Sequence, residues 1–169
     1  LLVSPGAHDL YRVSGVLGVC SAGQFLENPN WQEEVFGPFS LVVRCQDRSE
    51  LKRVLDTLKG QLTATFWADP AELANYSECI GVMRQRAGRL LFNGVPTGVE
   101  VCHAMQHGGP YPASTDARFT SVGSSALRRW IQPQCFQNWP HEALPPALQN
   151  QNPLGIWRTI NGEMTQAPL

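Results

Sequence analysis

Glu33-Glu34-Val35-Phe36-Gly37-Pro38 runs straight into Phe39-Ser40-Leu41-Val42-Val43, and the fold class turns on this stretch. Gly37 and Pro38 let the backbone turn and then enter extended structure, and the apolar run that follows suits a buried strand. The two carboxylates therefore stand at a strand entrance. Neighbouring side chains on extended backbone alternate faces, so Glu33 and Glu34 are not expected to serve one site as an acid/base pair. One should meet a ligand and the other solvent or a neighbour. A carboxylate accepts hydrogen bonds from both hydroxyls of a vicinal diol, and ribose is the commonest such diol in a cofactor. The plainer alternative is an exposed acidic pair before an edge strand, because Glu is mostly solvated.

Outward from this entrance the apolar period switches repeatedly, as in an α/β unit. Residues 39–45 read as a strand. Ser49 is placed to cap a helix running to about Lys59, with Leu51, Val54, Leu55 and Leu58 at helical spacing and Gly60 as the stop. Residues 62–67 read as a second strand. Asp69 and Pro70 suit the N-cap and first position of a helix to about Gln85, with Leu73, Tyr76, Ile80 and Met83 on its apolar face, ending before Gly88. Residues 89–93 read as a third strand, followed by a Gly/Pro-rich loop to about Phe119. A short helix over 122–131 and a strand over 134–137 complete the ordered part, and a Pro-, Gln- and Asn-rich tail occupies 140–169. Strand, helix, strand, helix, strand with short links predicts two crossover units, hence a mostly parallel sheet with right-handed connections in a three-layer α/β arrangement.

The 169 residues are 43% hydrophobic and 16% charged, enough for one unit with its own core. A formal net charge of -1 gives no electrostatic case for nucleic acid or an anionic membrane surface, and no apolar run is long enough to span a bilayer. Leu1-Leu2-Val3-Ser4-Pro5 lacks a methionine and the regions of a signal peptide, and reads as a cut end. Cys20, Cys45, Cys79, Cys102 and Cys135 are odd in number, widely spaced and without a C-x-x-C pair. They suggest neither a disulfide framework nor a zinc site, and fit a reduced cytoplasmic protein. His103 and His107 have the spacing of a helical metal pair, but no glutamate lies between them and Gly108-Gly109-Pro110 follows at once, so no metal site is expected.

Glu33-Glu34-Val35-Phe36-Gly37-Pro38 resembles the nicotinamide-ribose motif of the aldehyde dehydrogenase superfamily. Strand-helix-strand, then Gly88-Arg89-Leu90-Leu91-Phe92-Asn93, then a Gly-Gly loop follow in the family's order, so the resemblance covers about residues 24–137. It implies a partial aldehyde dehydrogenase-like catalytic domain over 1–139, whose late strand at 134–138 resembles the family's subunit-pairing element. By match to the motif, Glu34 binds the ribose of NADP or NAD and Phe36 packs beside the nicotinamide. Most of the family carries a lysine and Ser-Gly after the glycine pair. Here the chain reads His107-Gly108-Gly109-Pro110-Tyr111-Pro112-Ala113-Ser114-Thr115-Asp116-Ala117-Arg118. With Phe136-Gln137-Asn138, this block looks like the 2,5-dioxopentanoate (α-ketoglutarate semialdehyde) and bacterial fatty-aldehyde dehydrogenases.

The family's chemistry needs a thiolate to attack the carbonyl, a hydride acceptor and a base to activate water. The resemblance puts the nucleophile, its base and the dinucleotide-binding domain upstream of this chain, which is then expected to be inert alone. Cys20 in Gly18-Val19-Cys20-Ser21 lies too close to the motif to be that nucleophile and reads as a packing residue. His107 is the local candidate for an auxiliary catalytic role, favouring the missing thiolate or touching the cofactor, against the commoner reading of a structural hydrogen-bonder. Asn93 either enters the substrate-side loop or caps a turn. Arg118 or Arg128 could attract an acidic substrate, though exposed cations are usually solvated. The implied activity is NAD(P)-dependent oxidation of an aldehyde to a carboxylic acid, with the missing N-terminal portion and a homo-oligomer as partners. The competing classes are a non-catalytic association module and an unrelated small α/β ligand-binding domain.

Overall fold

Strand β3 (Phe39–Arg44) finds its parallel partner in β2 (Val16–Ser21), a strand the sequence reading passed over. The register runs from Val16 opposite Phe39 to Ser21 opposite Arg44. In the computed structural model, which describes residues 2–3 and 14–169, strand β1 (Leu2–Val3) adds antiparallel to β2. Of the opening Leu1-Leu2-Val3-Ser4-Pro5, only Leu2–Val3 lies within the described residues. The chain leaves β2 through a reciprocal capping box. The Ser21 hydroxyl accepts from Gln24 N at 3.2 Å while the Gln24 side-chain oxygen accepts from Ser21 N at 2.9 Å, which starts α1 (Ala22–Glu27). Ala22 and Phe25 of α1 join Cys20 and Val54 in the core, with Leu41 and Val43 of β3 against them.

Helix α2 (Arg48–Thr57) is capped by Asp47 and not by Ser49. The Asp47 carboxylate accepts from Glu50 N at 2.8 Å, a charge-assisted bond at the positive end of the helix that a hydroxyl two residues later, already inside the first turn, would not match. Strand β4 (Gln61–Phe66) pairs in parallel with β5 (Ala87–Phe92). Asp69 caps the connecting segment as expected, accepting from Ala71 N at 2.8 Å. That segment is a 3-10 helix over Pro70–Tyr76 followed by α3 (Ser77–Arg86), where the sequence predicts one continuous helix. The Asn75 carbonyl, which an unbroken α-helix would use, instead accepts from the Arg48 guanidinium at 2.8 Å.

The α/β class stands, with β2-α1-β3 and β4-α3-β5 as its parallel units. The single, mostly parallel sheet does not form among the described residues, because β3 bonds to β2 and not to β4. Nor are both faces covered: Gly18, Cys20, Leu41 and Val43 alternate inward, while Leu17, Val19 and Val42 remain exposed on the opposite face of β2 and β3. Leu62, Leu90 and Phe92 are likewise exposed on β4 and β5. Two layers are present where three are expected.

The chain divides into units Leu1–Trp130 and Ile131–Leu169. In the second, no strand forms at 134–137, since no other described strand lies there to bond with it. The segment read as a tail is ordered. Strands β6 (Arg158–Ile160) and β7 (Glu163–Thr165) form a hairpin through Asn161 and Gly162, whose φ values of 52° and 91° suit the tight turn that Asn-Gly favours. Its interior is polar: buried Asn152 donates to the carbonyls of Ile156 and Gln166, and Arg158 donates to those of Gln149, Asn150 and Ala167.

Candidate functional site

Four glycines hold the loop after β5 onto the two strands beneath it. A Cβ on Gly88 would strike the Gly108 carbonyl, one on Gly109 the Gln61 carbonyl, and one on Gly60 the Pro110 carbonyl. Gly60 and Gly88, which read as a helix stop and a strand approach, therefore serve close backbone contact. Gly60 N also donates to Tyr111 O at 3.2 Å, and the Ser114 hydroxyl donates to Gly109 O at 2.5 Å. Asn93 has the clamping role. At φ 45° its side chain accepts from Ala68 N and donates to Ala68 O, both at 2.9 Å, tying the ends of β4 and β5 together.

Loop and strands enclose two adjoining clefts that share Leu62 and Ala113. One, of about 590 Å³, is lined by Glu33, Glu34, Lys59 and Thr63, among others. The other, of about 390 Å³, is lined by His107, Thr115, Asp116, Phe119 and Arg129, among others. Both residues line the first cleft, and Glu33 also lines a separate one with Trp31 and Val35. Glu33 ends the 3-10 turn Pro29–Gln32 as its C-cap, and strand geometry begins only at Phe39, so period-two alternation does not apply here. Glu34 makes no side-chain hydrogen bond among the described residues. Phe36 stands 95% exposed.

His107 is half-buried, and its backbone is what the fold uses: its N–H donates to the Thr120 hydroxyl at 2.8 Å and its carbonyl accepts from Ser121 N at 2.9 Å. Thr120, only 3% exposed, donates through its own hydroxyl to Val122 O at 2.7 Å. His103 meets the Ser124 hydroxyl through Nδ1 at 2.7 Å, and the two histidines lie in loop and turn, not on a helix. Among the described residues no three His, Cys, Asp or Glu side chains are grouped to hold a metal. Arg118 is engaged with Asp116 at 2.6 Å, and Arg128 is exposed. Sequence reading missed Lys59, Thr115, Thr120 and Arg129. The polar run Thr120-Ser121 ahead of the 3-10 segment Ser124–Trp130 was the available signal.

Cys20 is 7% exposed within the α1–α2 core, the packing place expected of it. Burial pushes the Cys45 thiol up, with Glu50 and Asp47 adding to the effect, and burial with Glu78 does the same to Cys79. Both thiols are accordingly held in the protonated, poorly nucleophilic form.

No protein-family model matches the chain. Over 152 residues, 90% of this chain, it is 47% identical to "Alpha-ketoglutaric semialdehyde dehydrogenase 2" of Azospirillum brasilense. Over 139 residues, 82% of this chain, it is 50% identical to "Alpha-ketoglutaric semialdehyde dehydrogenase" of Acinetobacter baylyi. The chain is homologous to part of an aldehyde dehydrogenase. It spans 29% and 26% of the lengths of those two relatives. The resemblance drawn from the acidic motif and the Gly-Gly loop is thus upheld, down to the semialdehyde dehydrogenase subgroup. The arrangement brings Glu33 and Glu34 to one cleft and polar and cationic groups to the cleft beside it. Among the described residues it does not assemble a thiolate with a base.

Proposed function

We propose that this chain forms the downstream part of an aldehyde dehydrogenase catalytic domain, in a parent that oxidises an acid-terminated aldehyde such as 2,5-dioxopentanoate with NADP or NAD. The observation that carries this reading is the Glu34 cleft opening beside the His107 cleft through Leu62 and Ala113, in a chain about half identical to semialdehyde dehydrogenases. The residues fit a coenzyme's ribose. Glu34 lines the cleft and its carboxylate makes no hydrogen bond among the described residues, which leaves two acceptors for a vicinal diol. Phe36 offers an exposed ring against which a planar nicotinamide packs. When bound, the nicotinamide supplies the hydride acceptor. Glu34 holds the ribose and so the ring's position, while Gly108 and Gly109 keep His107 at the cleft wall, where a neutral imidazole can take a hydrogen bond or proton from a neighbouring group. The nucleophilic cysteine and its base come from the upstream part of the parent. The five free cysteines suit a reducing cytoplasm.

Turnover of the full-length parent with both coenzymes and with 2,5-dioxopentanoate or a long-chain aldehyde tests the activity. Within it, Glu34→Gln keeps shape and removes charge, and should lower coenzyme affinity and hydride transfer by about 1.5–3 kcal/mol. Glu33→Gln should be milder. Wild-type rates and coenzyme affinity in the Glu34 variant would remove the ribose assignment.

A second reading, an association module, is favoured by the exposed Leu17, Val19, Leu90 and Phe92 on open sheet faces.

A further inference from the structure

Arg129 lies in the 3-10 segment Ser124–Trp130 and lines the same cleft as His107. The start of the segment is fixed by two contacts: Ala126 N donates to Gly123 O at 3.0 Å, and the Ser124 hydroxyl pairs with His103. Asp116, the acidic group on this cleft, is already neutralised by Arg118, whose guanidinium grips both of its oxygens. Among the described residues Arg129 enters no ion pair. With Asp116 matched by Arg118, one uncompensated guanidinium charge remains on the wall. Leu62 and Phe119 supply the apolar part of the lining and Thr115 a hydroxyl. A positive fork at a polar point, with apolar surface beside it, is the complement of a short aliphatic carboxylate.

We propose that Arg129 is a specificity-determining residue that binds the terminal carboxylate of an acidic aldehyde substrate, whose methylenes lie along Leu62 and Phe119. This deepens the proposed function and rests on it for the word substrate, but the binding step itself involves neither coenzyme nor chemistry.

NMR titration of the 169-residue chain with glutarate, inorganic phosphate and neutral 1,5-pentanediol tests it. Glutarate should shift the amides of His107, Thr115 and Arg129 saturably in the millimolar range, with pentanediol silent and phosphate much weaker. Arg129→Gln should weaken glutarate binding roughly 10- to 100-fold, the weight of a charge-assisted hydrogen bond. Arg129→Lys should restore part of it, because the charge is kept and the fork is lost. Arg128→Gln, a charge change on the neighbouring arginine, which does not line the cleft, should leave it unchanged. Equal glutarate affinity in wild type and Arg129→Gln overturns the proposal, as does failure of the wild type to bind. Phosphate binding as tightly at the same amides would make this a general anion site and overturn the substrate assignment. Wild-type affinity in Arg129→Lys overturns the bidentate geometry, and serves if the glutamine variant loses its dispersed spectrum. Since no turnover enters the readout, its failure leaves the dehydrogenase reading standing. An inactive parent likewise leaves the binding result standing.

Discussion

Arg118 and Arg129 carry the same charge on the same cleft-forming region, and Asp116 separates their roles. Arg118's side-chain hydrogen bonds, then its backbone N–H, hold the Asp116 carboxyl down to about 2 from an ordinary 3.8. Because the folded value is depressed, whatever stabilisation the pair contributes is fully present above the unfolded pKa. It is lost as pH falls from about 4 through about 2. Arg118 is solvent-exposed and Asp116 about a third exposed, so screening keeps the effect on stability small and the titration is the better measure. Following the Asp116 side-chain carbon by NMR should give a midpoint near 2 in the wild type and a higher one, still below 3.8, in Arg118→Gln, which keeps the backbone N–H that donates to Asp116. An unshifted wild-type midpoint would show that the pair does not persist in solution, and would leave Asp116 free to oppose an anion in the cleft. Asp47 makes a related point. The sequence reading placed the cap of this helix on Ser49, and the bond from Glu50 N puts it on Asp47.

Between elements, the glycine contacts carry the loop that forms both clefts. Gly88→Ala places a methyl against the Gly108 carbonyl, backbone against backbone with no side chain to swing away, and should cost about 1–3 kcal/mol or more. Gly81, inside α3, has nothing within 4 Å of a new Cβ, so Gly81→Ala should stabilise by roughly 0.5–1 kcal/mol through helix propensity. Urea unfolding of the two variants should therefore shift midpoints in opposite directions. Two shifts of the same sign would show that the loop does not rest on β5 as described. Neither role is visible locally, since Gly81 lies inside a readable helix pattern and Gly88 between a helix and a strand pattern, with nothing in either stretch to reveal what packs against them. What distinguishes them is a loop about twenty residues further along the chain.

Across the first unit, apolar side chains of β2, β3, β4 and β5 face solvent on one side while helices cover the other. Parallel strands ordinarily have both faces covered, and exposed apolar surface with open strand edges favours association. The chain is accordingly expected to self-associate or to pair with the complementary part of its parent, with residues 134–138 offered as an added strand. Sedimentation at micromolar concentration should show species heavier than 18.7 kDa. A single monomer with well-protected amides on β4 and β5 would mean that these residues close their own core, and the association reading would fall.

The sequence alone was enough for the α/β class, for the placing of β3, β4 and β5 to within about two residues, for the Asp69 cap and for the aldehyde dehydrogenase resemblance. Each rests on local period, a capping residue or a contiguous motif, which neighbours along the chain determine. Tertiary structure decided that β3 pairs with β2, that Gly60 and Gly88 make room for a distant loop, that the segment after Pro145 folds into a hairpin unit, and that Glu33 shares Glu34's cleft. It also decided that Arg129, and not Arg118, is the free cation at the cleft wall among the described residues. Strand pairing, backbone contact and charge compensation depend on groups far apart in sequence, so no local window contains both partners.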